Sequence, residues 1–174
     1  MRATRYAALR RCARGCASVR RRAQLLALEP SLSIEPLRGN VETRLRKRGE
    51  RGLDAVVLAA CGLDRLGLAG EIGLRFAPEQ LLPEAGQGAL ALQVRVGEEE
   101  LVAAADDVET RRRVEAEREV VFAIGGGCLA PVAAHHDGET LTALVADEDG
   151  AWIERRSGDD PAALAAELTA LAQN

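Results

Sequence analysis

Apolar positions along the chain switch between two periods, and the switches mark out alternating helices and strands. Val19, Ala23 and Leu26 fall at i, i+4 and i+7, which predicts a helix that Glu29-Pro30 ends. Residues 33–37 read as a short strand. Gly39 then turns the chain, Asn40 can cap, and Val41 with Leu45 opens a second helix ending near Gly49. Residues 54–59 are an apolar run of the length expected for a buried parallel strand, followed by a short helix over about residues 63–68. This alternation predicts an α/β layer with right-handed crossovers.

Beyond it the pattern loosens. Residues 70–87 are loop-like, with Pro78, Pro83 and a Gly86-Gln87-Gly88 turn, and residues 89–96 read as another strand. Residues 97–107 form an acidic connection with some helical character. A longer helix over residues 108–123 places Val114, Val121 and Ile124 on one face. Strands follow near 131–136, 140–146 and 151–155, and Pro161 at the first turn opens a final helix over 162–171. That last unit reads as α+β, a small sheet covered by helices. The expected organisation is an unspecified Arg-rich lead-in over 1–14 and an α/β domain over 15–82. A hinge and strand over 83–107 and an α+β C-terminal domain over 108–174 complete it.

Charge changes this picture most. The 174 residues carry 23 Lys and Arg against 27 Asp and Glu, a net −4. Residues 1–51 alone hold fourteen basic and four acidic residues, so the charge is segregated by region. A basic half points to an anionic ligand or surface. Aromatic residues are 2% of the chain, and the basic half holds only Tyr6, which argues against base stacking on nucleic acid. Small carboxylates or phosphates suit an aromatic-poor arginine patch better, because the guanidinium fork binds them bidentately.

The four cysteines, Cys12, Cys16, Cys61 and Cys128, have no metal-ligand spacing, and His135-His136 supplies no zinc frame. No apolar stretch has the length of a membrane span or a secretory core, so free thiols in a reducing cytoplasm are the default expectation.

The arginines fall at suggestive places. Ser18 is a good N-cap, which puts Arg20, Arg21 and Arg22 in a first helical turn, where cations oppose the helix dipole unless an anion is bound. The bland alternative is a solvated arginine face. The arrangement recurs, however: Arg38-Gly39-Asn40 lies between a strand and a helix, Arg44 follows one turn later, and Arg65 sits on the helix after the 54–59 run. In an open parallel sheet these positions share the carboxyl edge, where ligands bind. Arg46, Lys47, Arg48 and Arg51 read as a solvated face. Gly86-Gln87-Gly88 is either a plain turn or a hinge between domains. Cys128, in Gly125-Gly126-Gly127-Cys128-Leu129-Ala130-Pro131, is either a small hydrophobe after a helix C-cap or a thiol presented on a loop for covalent work.

Taken together, these segments resemble hydroxymethylbilane synthase, the porphobilinogen deaminase family. The matching stretches are Gly15-Cys16-Ala17-Ser18-Val19-Arg20-Arg21, Leu37-Arg38-Gly39-Asn40-Val41-Glu42-Thr43-Arg44-Leu45, residues 54–68, Leu82-Pro83-Glu84-Ala85-Gly86-Gln87-Gly88-Ala89 and Gly126-Gly127-Cys128-Leu129-Ala130-Pro131. The resemblance implies a periplasmic-binding-protein-like parallel-sheet domain followed by a small α+β C-terminal domain. It implies a transferase of haem and tetrapyrrole biosynthesis that condenses four porphobilinogen molecules into hydroxymethylbilane with release of ammonia. The chain grows on a dipyrromethane cofactor held by a thioether to the loop cysteine, here Cys128. Cofactor-binding positions carry over to Ser18, Arg20, Arg21, Arg38, Gly39 and Arg44, substrate-binding positions to Arg38, Arg44 and Arg65, and the hinge to Gly86, Gln87 and Gly88.

Two departures stand beside the match. The family's catalytic Asp belongs to a first domain that these residues do not contain, so no catalytic residue is assigned, and the usual Gly-Thr-Ser-Ser reads Gly15-Cys16-Ala17-Ser18. The leading expectation is the C-terminal two-thirds of the enzyme, inactive alone, arising from a truncated gene or from a split enzyme completed by a separate first-domain chain. The resemblance further implies porphobilinogen and oligopyrroles as ligands, a monomer, and neither nucleic acid nor membrane as partner. The alternative is a non-catalytic anion- or tetrapyrrole-binding module.

Overall fold

A computed structural model describes residues 13–126 and 130–173. Its first unit is a three-stranded parallel sheet in the order β2-β1-β3, built from β1 (Ala13–Gly15), β2 (Ser33–Glu35) and β3 (Ala55–Val56). Helices α1 (Val19–Leu28), α2 (Val41–Glu50) and α3 (Ala60–Arg65) follow the three strands in turn. The Ser18 hydroxyl accepts from the Arg21 amide at 3.4 Å, and the Asn40 side chain accepts from the Thr43 amide at 2.8 Å, so α1 and α2 start where their caps predict. Central strand β1 has no counterpart in the sequence reading. It pairs Arg14 with Ile34 on one side and Ala55 on the other. Gly15 is required there, because a Cβ would lie 2.6 Å from Leu37 Cδ2, and Leu37 is a fully buried side chain.

Three expectations are corrected in this part of the chain. The 54–59 run is not a buried strand: β3 is two half-buried residues at the sheet edge, paired only with β1 among the described residues. The third helix spans Ala60–Arg65 rather than 63–68. Gly67 at φ 70° ends it, with Gly67 N–H donating to Asp64 O at 3.1 Å and Leu68 N–H to Leu63 O at 2.9 Å, a Schellman closure that excludes Leu68. Residues 89–96 alternate as a strand would, yet pair with no strand among the described residues, and Leu90, Leu92 and Val96 are exposed. Alternation fixes the faces of a strand, but only a neighbouring backbone makes it one. The acidic connection does carry helical turns, at Glu99–Leu101 and Ala103–Ala105.

The second unit is an antiparallel sheet β4-β5-β6 (Val132–His136, Leu141–Ala146, Ile153–Gly158) with α4 (Val108–Ala123) and α5 (Pro161–Ala172). The last strand begins two residues later than the sequence suggests. Asp147 and Trp152 close the hairpin first, with Asp147 N–H on Trp152 O and Trp152 N–H on Asp147 Oδ1, both at 3.1 Å. Both faces of this sheet are covered, which explains the nearly unbroken apolar run of β5. Val132, Ala134, Leu141, Ala143 and Val145 pack with Val120 of α4 and Leu164 and Leu168 of α5. Ala133, Leu144 and Ala146 face the other way, onto Ala23 of α1 and Leu82. The two units therefore share a core, and α1 serves both.

A charged residue also lies on the apolar stripe of α4. Glu117 falls between Val114 and Val121 at helical spacing and is 5% exposed. Its Oε2 accepts from Gly86 N–H at 2.6 Å, its Oε1 accepts from His136 N–H at 2.8 Å, and His135 Nδ1 lies 3.3 Å from Oε1. Burial pushes the Glu117 pKa up, but hydrogen bonds from His135, Gly86 and His136 outweigh it and hold the carboxyl below its usual range. The hydrogen bond to Glu117 raises His135 above the ordinary histidine value, against a smaller opposing effect of burial.

Two measurements test this packing. Gly150 sits at φ 70°, where a Cβ would collide with the Ala23 carbonyl oxygen, so Gly150→Ala should lower urea stability by more than about 1 kcal/mol, whereas Gly158→Ala, with open space around it, should stay within about 0.5 kcal/mol. The raised His135 contributes stability that is complete below the ordinary histidine value and is lost as pH rises through its folded value. The lowered Glu117 contributes above the ordinary glutamate value and loses that contribution as pH falls through its folded one. The stability difference between wild type and His135→Ala should therefore peak at roughly pH 5–6 and shrink toward pH 8, as read by urea denaturation across pH. A difference independent of pH would contradict the pairing.

Candidate anion-binding site

Because α1 follows β1 and α2 follows β2 in a parallel sheet, their N-termini open on the same carboxyl edge. The first turn of α1 contains no acidic residue and carries Arg20 and Arg21. At the start of α2, Gly39 takes φ 132°, where a Cβ would meet Thr43 at 2.7 Å, and its carbonyl accepts from Arg44 Nε at 2.7 Å. Arg20, Arg21 and Arg44 converge around the buried Cys16, whose thiol donates to Ser18 O at 3.6 Å. Burial raises the Cys16 pKa more than the three cations lower it, so the thiol is neutral. Burial, followed by the charges of Arg20 and Arg44, holds the Arg21 pKa below the usual arginine value despite opposing effects of Cys16 and Glu84. Crowded like charges of this kind are relieved by an anion.

Arg20 occupies an unusual position for a ligand-binding cation. Its side chain is 5% exposed, and its Nη1 pairs with Glu84 at 3.1 Å, while Glu84 itself is 47% exposed. Arg20 Nε and Nη2 have no hydrogen-bond partner among the described residues. Each unmet buried donor costs about 1–3 kcal/mol, so the cluster is under-neutralised as it stands. Glu84 is the carboxylate set against it.

The segment 82–88 binds the cluster from the other side. Gln24, buried in α1, clips it at both polar atoms of Leu82: Leu82 N–H donates to Oε1 at 2.7 Å, and Nε2 donates to Leu82 O at 3.0 Å. Gly86 and Gly88 take φ values of 72° and 100°, and Gln87 N–H donates to Glu84 O at 2.8 Å, which closes the turn. From that turn Gln87 Oε1 accepts from Arg21 Nη2 at 2.8 Å, and Gly88 O accepts from Arg65 Nη2 at 2.7 Å. A cavity of about 450 Å³ opens beside it, lined by Arg14, Arg21, Arg48, Asp54, Phe76 and Gln87 among others, within the usual size range of small-molecule sites.

The structure thus brings together Ser18, Arg20, Arg21, Gly39, Arg44, Arg65, Gly86, Gln87 and Gly88. Arg38 stands exposed at the same edge; its carbonyl accepts from Lys47 Nζ at 3.1 Å, and its guanidinium makes no hydrogen bond among the described residues. Arg48 belongs to the cavity wall rather than to a purely solvated face, because α2 turns that position toward β3. Cys128 lies outside the described residues, as do Gly127 and Leu129. The helix before them ends as a Schellman motif: Gly125 at φ 76° donates to Phe122 O and Gly126 to Val121 O, both at 2.9 Å. Gly125 therefore has a capping role of its own. Sequence reasoning missed Glu84, Glu117, Gln24 and Cys16. Glu117 alone left a signal, a carboxylate on an apolar stripe. No group of three metal-ligating side chains is found among the described residues, and no helix there is long and apolar enough to cross a membrane.

Residues 4–103 match the family model described as "Porphobilinogen deaminase, dipyromethane cofactor binding domain", a stretch that holds all five arginines of the edge and stops short of Cys128. The chain is 43% identical to the porphobilinogen deaminase of Brevibacillus brevis over 160 residues, 86% of this chain and 52% of that protein. It is 44% identical to that of a Roseiflexus species over 164 residues, 88% of this chain and 54% of the relative. A probable porphobilinogen deaminase of Methanopyrus kandleri is 43% identical over 144 residues, 78% of this chain and 48% of that one. The chain spans about half the length of the curated relatives it matches. With the matched model covering more than half of its residues, the chain belongs to the porphobilinogen deaminase family.

Proposed function

We propose that this chain carries the arginine cluster and the covalent anchor of a hydroxymethylbilane synthase, a transferase that joins four porphobilinogen molecules head to tail with loss of ammonia. The observation that carries the reading is the under-neutralised cluster at the carboxyl edge: Arg20 with two unmet donors, and Arg21 held below its usual pKa by burial and neighbouring cations. A pyrrole bearing acetate and propionate side chains supplies the anions such a cluster lacks, and the guanidinium fork suits each carboxylate.

The residues present fit a dipyrromethane primer by this donor set. When bound, that group supplies an electron-rich pyrrole carbon as the nucleophile for chain extension. Cys128 would hold it by a thioether. Arg21 and Arg44 would bind its carboxylates together with Ser18 and the amides at the start of α1. Arg38 and Arg65, the exposed members, would take the carboxylates of incoming porphobilinogen together with Arg44, and Arg21 would meet them too where no primer is bound. Arg20 would act from behind, its charge raising the potential at the edge while Glu84 tethers it. The Gly86-Gln87-Gly88 turn would work as the hinge between the arginine-bearing unit, of periplasmic-binding-protein-like design, and the C-terminal one.

Two outcomes test the reading. Protein purified from a haem-competent host should carry added mass matching two linked pyrroles, and Cys128→Ser should lack it. Calorimetric titration with porphobilinogen should weaken by about tenfold to a hundredfold in Arg44→Ala, the range for losing one charged hydrogen-bonding partner. Unmodified protein would contradict the anchor. Unchanged affinity in Arg44→Ala would contradict the carboxylate site.

A further inference from the structure

The Gly86-Gln87-Gly88 turn is held by groups from three separate elements. Gly86 N–H is taken by Glu117 of α4 at 2.6 Å, Gln87 Oε1 by Arg21 of α1 at 2.8 Å, and Gly88 O by Arg65 of α3 at 2.7 Å. We propose that Glu117 is a positioning residue for the anion site: by fixing the Gly86 amide it sets where Gln87 and Gly88 hold Arg21 and Arg65. This rests on the reading that those arginines bind the ligand's carboxylates.

Both Glu117 oxygens are committed, Oε2 to Gly86 and Oε1 to His136 N–H and His135 Nδ1. An ionised acceptor makes such bonds short and strong, and this one is buried, away from competing water. The turn it grips has little rigidity of its own. Its two glycines sit at φ 72° and 100°, and glycine has the most backbone freedom to lose. Once the Gly86 amide is fixed, the two arginine contacts follow at the next two residues, Gln87 and Gly88. Arg21 and Arg65 lie on different helices, and neither is hydrogen-bonded to Glu117. Its influence on them therefore runs through the turn. In this way the C-terminal unit sets the spacing of two cations on the first unit.

A purely structural role would look different. Glu117 would then serve only to seat α4 on β4 through His135 and His136, and its loss would leave the arginines as they were. The near-isosteric Glu117→Gln separates the two, since its amide nitrogen cannot accept and one donor must go unmet. In the ligand-free full chain, this variant should shift the Arg21 and Arg65 Nε–Hε NMR resonances. The amides of Gly86, Gln87 and Ala89, each hydrogen-bonded in the turn, should exchange at least about tenfold faster, while those of β5 keep their protection. Changes confined to α4 and β4, with Arg21 and Arg65 unmoved, would overturn the proposal.

Should Glu117→Gln fail to fold, Gly86→Ala carries the test. It leaves Glu117 intact but places a Cβ 3.3 Å from Val114 Cγ1 at a positive φ, so it displaces the turn. The same two arginine resonances should move, and their constancy would equally overturn the role. With ligand, porphobilinogen should bind Glu117→Gln about fivefold or more weakly than wild type, within the range of coupling through an intermediate element. If wild type itself takes up no porphobilinogen, the anion-site reading fails, while the arginine resonances still decide the role of Glu117.

Discussion

The arrangement of this molecule follows from one electrostatic constraint: positive charge is crowded at the start of α1. Arg20 and Arg21 occupy a first turn with no acidic residue, and the charge of Arg44 of α2 acts on Arg21 and Cys16 as well. A helix N-terminus is itself a centre of positive potential, so these cations add to the field rather than cancel it. Burial removes the water that would otherwise screen them. What compensation exists is partial, from a half-exposed Glu84 on one face of Arg20 and from neutral oxygens, Gln87 Oε1 on Arg21 and Gly39 O on Arg44. A site left in this balance is stabilised by whatever polyanion fits it.

Segment 82–88 is the structural answer to that charge and also the join between the two units. Leu82 enters the core shared by α1 and the C-terminal sheet, while Gln24 fixes its backbone. From there the segment presents Glu84, Gln87 and the Gly88 carbonyl to three arginines, and Glu117 takes hold of it between them, at Gly86. Packing and electrostatics thus meet in one strand of backbone. The units are coupled in the simplest physical sense, because the polar atoms that finish the arginine site hang from residues anchored in the opposite unit.

Much of the fold is legible in the sequence where local chemistry decides it. Ser18, Asn40 and Pro161 start α1, α2 and α5 as their side chains or ring predict, and α4 spans the residues its periodicity gives. The arginine edge was legible for the same reason, since each arginine lies near a cap or a turn glycine. What escaped depends on distant partners. Strand β1 is three residues with no alternation, made a strand only by β2 and β3. The 89–96 stretch errs the other way, with alternation and no partner among the described residues. Glu84 gains its meaning from Arg20 and Glu117 from Gly86, both far along the chain; only Glu117 left a local sign, a carboxylate on an apolar stripe, and that sign names no partner.

The account stands on the claim that Arg21, Arg44 and Arg65 form one carboxylate-binding edge. The most direct measurement is the arginine Nε–Hε spectrum of the wild-type chain during titration with porphobilinogen. The account predicts saturable shifts of those three resonances, with Arg111, Arg112 and Arg156, which are held in local ion pairs elsewhere, left in place. Equal movement of all arginines, or movement only of the exposed ion-paired set, would contradict it.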